Sequence, residues 1–262
     1  HRLDIMKQVA NGLAYLHNMT PIVVHRDVKP GNIMLKQVQS HRQYSRKASG
    51  IVDSNNVEDG PIPSTALPFV AKITDFGLSR SNQNMRATMT ATHRGAVKFS
   101  KDIVAGAGTP SFMSPEQWDM KQQQSAKADI FSFGLSLFAV MCWIPVPWFD
   151  NDNETYQRLL EGDVDAYNDL VTIEERIRNG MWPVWPQQIP NIQLEAVLVN
   201  EHTAAGEQQS TMVPIPDCVQ VVTESTFHRD PDCRLSMRGV IRLLSGEPKS
   251  SVLNLEPYVK RS

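Results

Sequence analysis

Cysteine is scarce in this chain of 262 residues. The three cysteines, Cys142, Cys218 and Cys233, are odd in number and widely spaced, so they predict neither a disulfide framework nor a zinc site. Such sparse use of cysteine favours a reducing compartment. We therefore expect this segment to be cytoplasmic, and a membrane segment upstream of it stays an open alternative.

The chain also lacks an excess of charge of either sign. It carries 26 Lys and Arg against 28 Asp and Glu, a formal net charge of −2. We therefore expect no nucleic-acid partner and no general attraction to anionic membranes. Hydrophobic residues make up 41% of the chain and charged residues 21%, which is typical of a soluble globular protein. The length fits one large domain.

Long hydrophobic runs are rare, but residues 130–149 contain no charge and have the length of a membrane span. Pro145 and Pro147 interrupt a helix shortly after Trp143, which leaves too few helical residues to span a bilayer. We predict a helix that is buried on all sides of a globular core, with a membrane span as the alternative.

Hydrophobic spacing predicts one domain that is mainly α-helical, with two short strands at 33–35 and 69–74. Two polar segments, 36–68 and 187–216, are predicted insertions. A long loop is expected over 75–112 and irregular backbone over 181–190. The predicted helices cover 2–18, 127–143, 153–160, 170–179, 219–227 and 234–244.

Five short motifs follow one another along the chain. The first is His25-Arg26-Asp27-Val28-Lys29-Pro30-Gly31-Asn32. The others are Asp75-Phe76-Gly77 after the second predicted strand, Ser114-Pro115-Glu116, Asp129-Ile130-Phe131-Ser132-Phe133-Gly134, and Arg234 after Asp230-Pro231. Each one alone is a weak signal, but the ordered set resembles eukaryotic-type protein kinases of the serine/threonine type. Trp182-Pro183 adds a faint likeness to the tyrosine-kinase-like group.

This resemblance implies the mainly α C-terminal lobe of the kinase fold, with short β-strands around the catalytic loop. The domain would span 1–247, followed by a tail over 248–262. The β-rich N-terminal lobe is missing, since no Gly-rich loop, strand lysine or paired helix glutamate precedes the first motif. We interpret the chain, which starts at His1 inside a helical pattern, as a fragment that does not catalyse efficiently by itself.

The resemblance implies ATP and Mg²⁺ as cofactors and assigns the residues that would handle them. Asp27 would accept the proton of the substrate hydroxyl, and Lys29 would neutralise the transferring phosphate. Asn32 and Asp75 would hold magnesium ions, for which oxygen ligands are suited. Met34 would form the floor beneath adenine, with an ordinary core methionine as the alternative.

Further motif residues would support the site. The resemblance implies that Thr109 bonds Asp27 and Lys29, and that His25 and Phe76 pack in an apolar column. Two more expected contacts are the hydrogen bonds from Asp129 to the backbone of the catalytic loop and the buried ion pair between Glu116 and Arg234.

The implied function is transfer of the ATP γ-phosphate to a serine or threonine hydroxyl of a protein substrate. Lys29, two residues after Asp27, resembles the serine/threonine type, and so does the segment Gly108-Thr109-Pro110-Ser111-Phe112-Met113. The alternative is a catalytically silent kinase-fold module that binds partners. The sequence leaves the oligomeric state open.

Overall fold

A computed structural model describes residues 2–37, 69–81, 109–118, 125–144, 147–148, 173–177, 179–191 and 211–256. The predicted helix at 153–160 and residues 82–108 of the predicted loop lie outside the described residues. So do residues 38–68 of the first predicted insertion and 192–210 of the second. Helix α1 spans Arg2–His17, and its buried face includes Met6, Val9 and Leu13. This confirms the amphipathic helix that the spacing predicts.

The predicted buried helix is α3, which spans Ala126–Cys142; helix α2, Pro115–Trp118, precedes it. Ser125 caps its N-terminus by accepting a hydrogen bond from Lys127 N–H. Trp143 ends the helix in the left-handed conformation, with φ 59°, before Pro145. Among the described residues, no helix combines the length and hydropathy that a membrane crossing requires.

Helix α3 is buried almost all round because two hydrophobic clusters pack against different faces of it. Ile130, Phe133 and Leu137 join a cluster with α1, helix α4 (Asp217–Thr226) and helix α5 (Met237–Leu244). On the other face, Phe131, Leu135 and Phe138 join a second cluster. That cluster includes Phe112, Met113, Trp118, Ile173, Ile177 and Phe227.

The short strands pair in antiparallel fashion and position the loops between them. Strand β2 (Ile33–Gln37) pairs with β3 (Phe69–Ile73), which confirms both predicted strands. Strand β1 (Val23–Val24) pairs with β4 (Arg80–Ser81). The first predicted insertion therefore begins after Gln37, not at Lys36, because pairing with β3 extends β2. The two pairs bring the loop after β1 beside the loop after β3.

The C-terminal part of the chain differs from expectation at three places. Strand β5 (Gln188–Pro190) pairs with β6 (Met212–Pro214), so irregular backbone over 188–190 was a wrong prediction. Helix α5 begins at Met237, later than predicted, because Ser236 caps it by accepting a hydrogen bond from Gly239 N–H. In the segment predicted as a tail, Lys249–Asn254 forms helix α6, and its Val252 is fully buried in the core.

Candidate active site

The predicted catalytic loop, residues 25–32, has little regular structure, and a buried carboxylate of α3 holds its backbone. Asp129 is fully buried. Its Oδ2 accepts a hydrogen bond from His25 N–H and its Oδ1 one from Arg26 N–H, both at 2.8 Å. These bonds confirm the predicted contact between Asp129 and the loop. Charge-assisted bonds of this kind are strong, so they fix the peptide that precedes Asp27.

Asp27 lies at the centre of a polar cluster and is 7% exposed. Lys29 Nζ lies 2.9 Å from its Oδ2, and Thr109 N–H donates to its Oδ1 at 2.9 Å. Asn32 Nδ2 donates to Asp27 Oδ2 at 3.0 Å and to Asp27 O at 2.8 Å. Four of the six predicted site residues therefore lie together.

The ionisation of Asp27 reflects two opposed effects. Burial by itself would raise the pKa of the carboxyl group. The hydrogen bond and charge of Lys29, together with the bonds from Thr109, outweigh burial and hold the pKa of Asp27 below its ordinary value. Asp27 is therefore a carboxylate at neutral pH, the state that a proton acceptor needs.

Thr109 contacts both predicted partners, but through different groups. Its backbone N–H donates to Asp27, and its side-chain Oγ1 accepts a hydrogen bond from Lys29 Nζ. The residue directly precedes a 3₁₀ turn over Pro110–Phe112. This loop segment is thereby attached to Asp27 and to Lys29 at once.

Asp75 lies in the neighbouring loop, in the left-handed conformation with φ 62°. Its side chain is exposed and accepts a hydrogen bond from Gly77 N–H at 3.3 Å. The preceding residue, Thr74, donates its N–H to Asn32 O at 2.9 Å, which holds the Asp75 loop against the catalytic loop. The expected His25–Phe76 packing is confirmed, with ring centroids 5.1 Å apart.

Met34 lies on β2 opposite Lys72 and is 61% exposed. The alternative of an ordinary core methionine is therefore wrong. The expected contact with adenine stays a prediction.

Asn32 and Asp75 are the described residues whose oxygen atoms would hold magnesium. Within the described ranges no cluster of three or more His, Cys, Asp or Glu side chains could hold a metal by itself. Magnesium commonly binds one or two protein oxygens and completes its shell with phosphates and water. Asp75 offers an exposed carboxylate, and the described hydrogen bonds of the Asn32 side chain all use Nδ2, not its oxygen. These residues fit a magnesium ion that is shared with nucleotide phosphates.

The predicted ion pair between Glu116 and Arg234 is confirmed. Both guanidinium nitrogens of Arg234 donate to the carboxylate, at 2.7 and 2.8 Å, and both side chains are buried. Arg234 Nε also donates to His228 O at 2.7 Å. The pair connects helix α2, and with it the segment that carries Thr109, to the turn before α5.

Sequence reasoning missed two polar contacts of the loop. His17 Nε2 lies 2.8 Å from Asp129 Oδ2, and Gln117 Nε2 donates to Arg26 O at 3.0 Å. The partners are 112 and 91 residues apart, and neither His17 nor Gln117 belongs to a motif. No local pattern could have revealed them.

The chain matches the protein kinase domain family over residues 2–243, and it belongs to that family. The order of its loops and the cluster around Asp27 agree with this membership.

Several curated proteins are similar to the chain. A putative leucine-rich repeat receptor-like serine/threonine-protein kinase, At2g19230, of Arabidopsis thaliana is 35% identical over 146 residues, covering 55% of this chain and 12% of that protein. The probable serine/threonine-protein kinase pats1 of Dictyostelium discoideum is 25% identical over 235 residues, covering 90% of this chain and 5% of that protein. Serine/threonine-protein kinase 33 of Mus musculus is 29% identical over 164 residues, covering 63% and 26%. The chain thus matches a minor part of the length of each relative.

Proposed function

We propose that this chain forms the C-terminal lobe of a protein serine/threonine kinase that transfers the γ-phosphate of ATP to a protein hydroxyl. The main observation in support is the buried Asp27 carboxylate, which forms an ion pair with Lys29 and accepts a hydrogen bond from Thr109 N–H. The names of the similar proteins support serine and threonine as acceptors. The kinase family in general acts on a protein substrate and ATP.

Each residue of the cluster has a stated part in the proposed reaction. Asp27 accepts the proton of the attacking hydroxyl, and its low pKa keeps it ready to do so at neutral pH. Lys29 places a positive charge beside the base, where it neutralises the phosphate that is transferred. Asn32 and Asp75 hold magnesium, which offsets the charge of the phosphates.

The proposal includes a second lobe. The 262 residues contain no Gly-x-Gly-x-x-Gly motif, the Gly-rich loop with which the family covers the phosphates. We therefore expect the natural full-length protein to transfer phosphate and this segment alone to be far less active.

The test measures transfer of labelled phosphate from Mg²⁺-ATP to a generic protein substrate by the natural full-length protein. Asp27→Asn should lower kcat by about 10²-fold or more, since a positioned base contributes that much. Asp217→Asn, at an exposed position that begins α4, is the matched control and should leave kcat unchanged.

Hydrolysis of the labelled product identifies the acceptor as serine, threonine or tyrosine. Phosphotyrosine as the main product contradicts the serine/threonine proposal, and full activity of Asp27→Asn contradicts Asp27 as the base. If the wild-type protein transfers no phosphate and does not bind Mg²⁺-ATP, the partner-binding module replaces the kinase.

A further inference from the structure

Arg26, directly before the proposed base, has an unusual backbone conformation. Its φ is 75°, in the left-handed region that a residue with a side chain rarely adopts. Such a conformation persists when surrounding contacts hold it. The N–H of Arg26 donates to Asp129 Oδ1 at 2.8 Å, and its C=O accepts from Gln117 Nε2 at 3.0 Å. Both peptide groups of the residue are therefore bound by buried side chains.

The chemistry of its neighbours fixes the orientation of the Gln117 amide. Its Oε1 accepts hydrogen bonds from Ser114 N–H at 2.8 Å and from Ser114 Oγ at 3.0 Å. A backbone N–H can only donate and a carbonyl can only accept, so Nε2 must face Arg26 O. Gln117 is 4% exposed, and little water can replace either partner.

Gln117 thus joins two parts of the site that are far apart in sequence. Through Ser114 it belongs to the segment 109–118, whose other end donates Thr109 N–H to the Asp27 carboxylate. Through its hydrogen bond to Arg26 O it holds the peptide group that links Arg26 to Asp27. The same segment therefore binds Asp27 at its carboxylate and at the preceding carbonyl.

We propose that Gln117 is a positioning residue, which keeps Asp27 in place by binding the Arg26 carbonyl and so makes the geometry of the base depend on docking of segment 109–118. This inference rests on the proposed kinase function.

Two variants distinguish the hydrogen bonds of the Gln117 amide oxygen from the hydrogen bond of its nitrogen. Gln117→Glu retains an oxygen that accepts from Ser114 but loses the donor to Arg26 O. Gln117→Met has a similar length and volume, loses all three hydrogen bonds and adds no charge. Gln8→Glu is the matched control, because Gln8 Oε1 accepts from Ala71 N–H and a carboxylate can do the same.

The assay is steady-state phosphate transfer by the natural full-length protein, and each rate is divided by the concentration of active enzyme to give kcat. Both Gln117 variants should lower kcat roughly tenfold, the effect of one lost hydrogen bond on the barrier, with KM for ATP within about twofold. Gln8→Glu should match the wild type.

A pH profile distinguishes positioning from a general loss of stability. The carboxyl group introduced by Gln117→Glu is buried beside a carbonyl, so its pKa should be raised. Its protonated form can donate to Arg26 O again, and kcat relative to wild type should recover as pH falls from about 8 to about 6. Gln117→Met has no such group and should show no recovery. Wild-type kcat in either variant, or the same pH profile for both, overturns the proposal.

Hydrogen exchange decides the inference independently of catalysis. In Gln117→Met, the backbone amides of residues 25–28 should exchange faster, while those of α5 should not change. Unchanged exchange at 25–28 overturns the coupling. If the wild type transfers no phosphate, the kinase proposal fails, and exchange alone still decides whether Gln117 holds the loop.

Discussion

Arg234→Met tests how strongly the buried ion pair supports the fold. The side chain of Arg234 is fully buried, donates twice to Glu116, and donates further to the carbonyls of His228 and Lys127. Its guanidinium carbon also lies 5.0 Å from the centre of the Phe131 ring. Methionine fills much of the same space but can satisfy none of these acceptors.

The expected loss follows from burial. Removing one partner of a buried ion pair leaves the other charge uncompensated and costs about 3–5 kcal/mol. Glu116 is 2% exposed, so water cannot solvate the orphaned carboxylate. A domain is stable by about 5–15 kcal/mol in total. We therefore expect Arg234→Met to remove a large share of the stability.

Urea unfolding followed by tryptophan fluorescence measures the loss. The matched control is Arg242→Met, which makes the same substitution in a partly exposed pair with Glu247 and should change stability little. The double variant Glu116→Leu/Arg234→Met should be more stable than Arg234→Met, because it leaves no unpaired buried charge. Equal losses at Arg234 and Arg242, or a double variant as unstable as the sum of the single ones, would refute the reasoning.

Two further predictions concern ionisation. Lys29→Met should raise the pKa of Asp27, because only the bonds from Thr109 then oppose the effect of burial. The stability that the low pKa contributes is present above the unfolded-state pKa and is lost as pH falls through the folded-state pKa, so the variant should lose stability at higher pH than the wild type. A carboxyl NMR titration and acid unfolding check this, and an unchanged titration contradicts it. Burial raises the pKa of Cys142 to about 12 despite nearby Arg2, so alkylation at about pH 8 should modify it in the unfolded chain and spare it in the native one; equal modification contradicts this.

The sequence predicts the main helices because their hydrophobic period is long and regular. It places α1 within one residue of its observed C-terminus and identifies α3 as buried on all sides, a pattern that only a two-sided core explains. The sequence does not predict the pairing of β5 with β6. Each strand has three residues, contains a proline and shows no alternation long enough to detect.

The candidate site divides in the same way. Motif order gives Asp27, Lys29 and Asn32 because they share one short loop, and spacing alone places them together. The sequence does not reveal the contacts of Gln117 and His17, since a buried polar contact depends on a partner that folding brings from elsewhere in the chain. The exposure of Met34 has the same origin, because a strand position does not reveal whether another element covers it.

Two polar residues in the apolar sequence of α3, Asp129 and Ser136, contact backbone groups of the loop that contains Asp27. Residues 25–28 belong to neither a helix nor a strand, so their buried backbone groups need partners outside regular structure. Asp129 accepts from His25 and Arg26 N–H. The Ser136 hydroxyl, which donates to Ser132 O at 2.8 Å, also lies within 3.3 Å of Val28 O. Asp129 and Ser136 are seven positions apart, so they lie on one face of the helix and about 10.5 Å apart along its axis. Three residues of extended chain span about 10–11 Å, which is enough to reach from one to the other. Two turns of α3 therefore contact both ends of the segment around Asp27, and the polar residues Asp129 and Ser136 lie where this loop is bound.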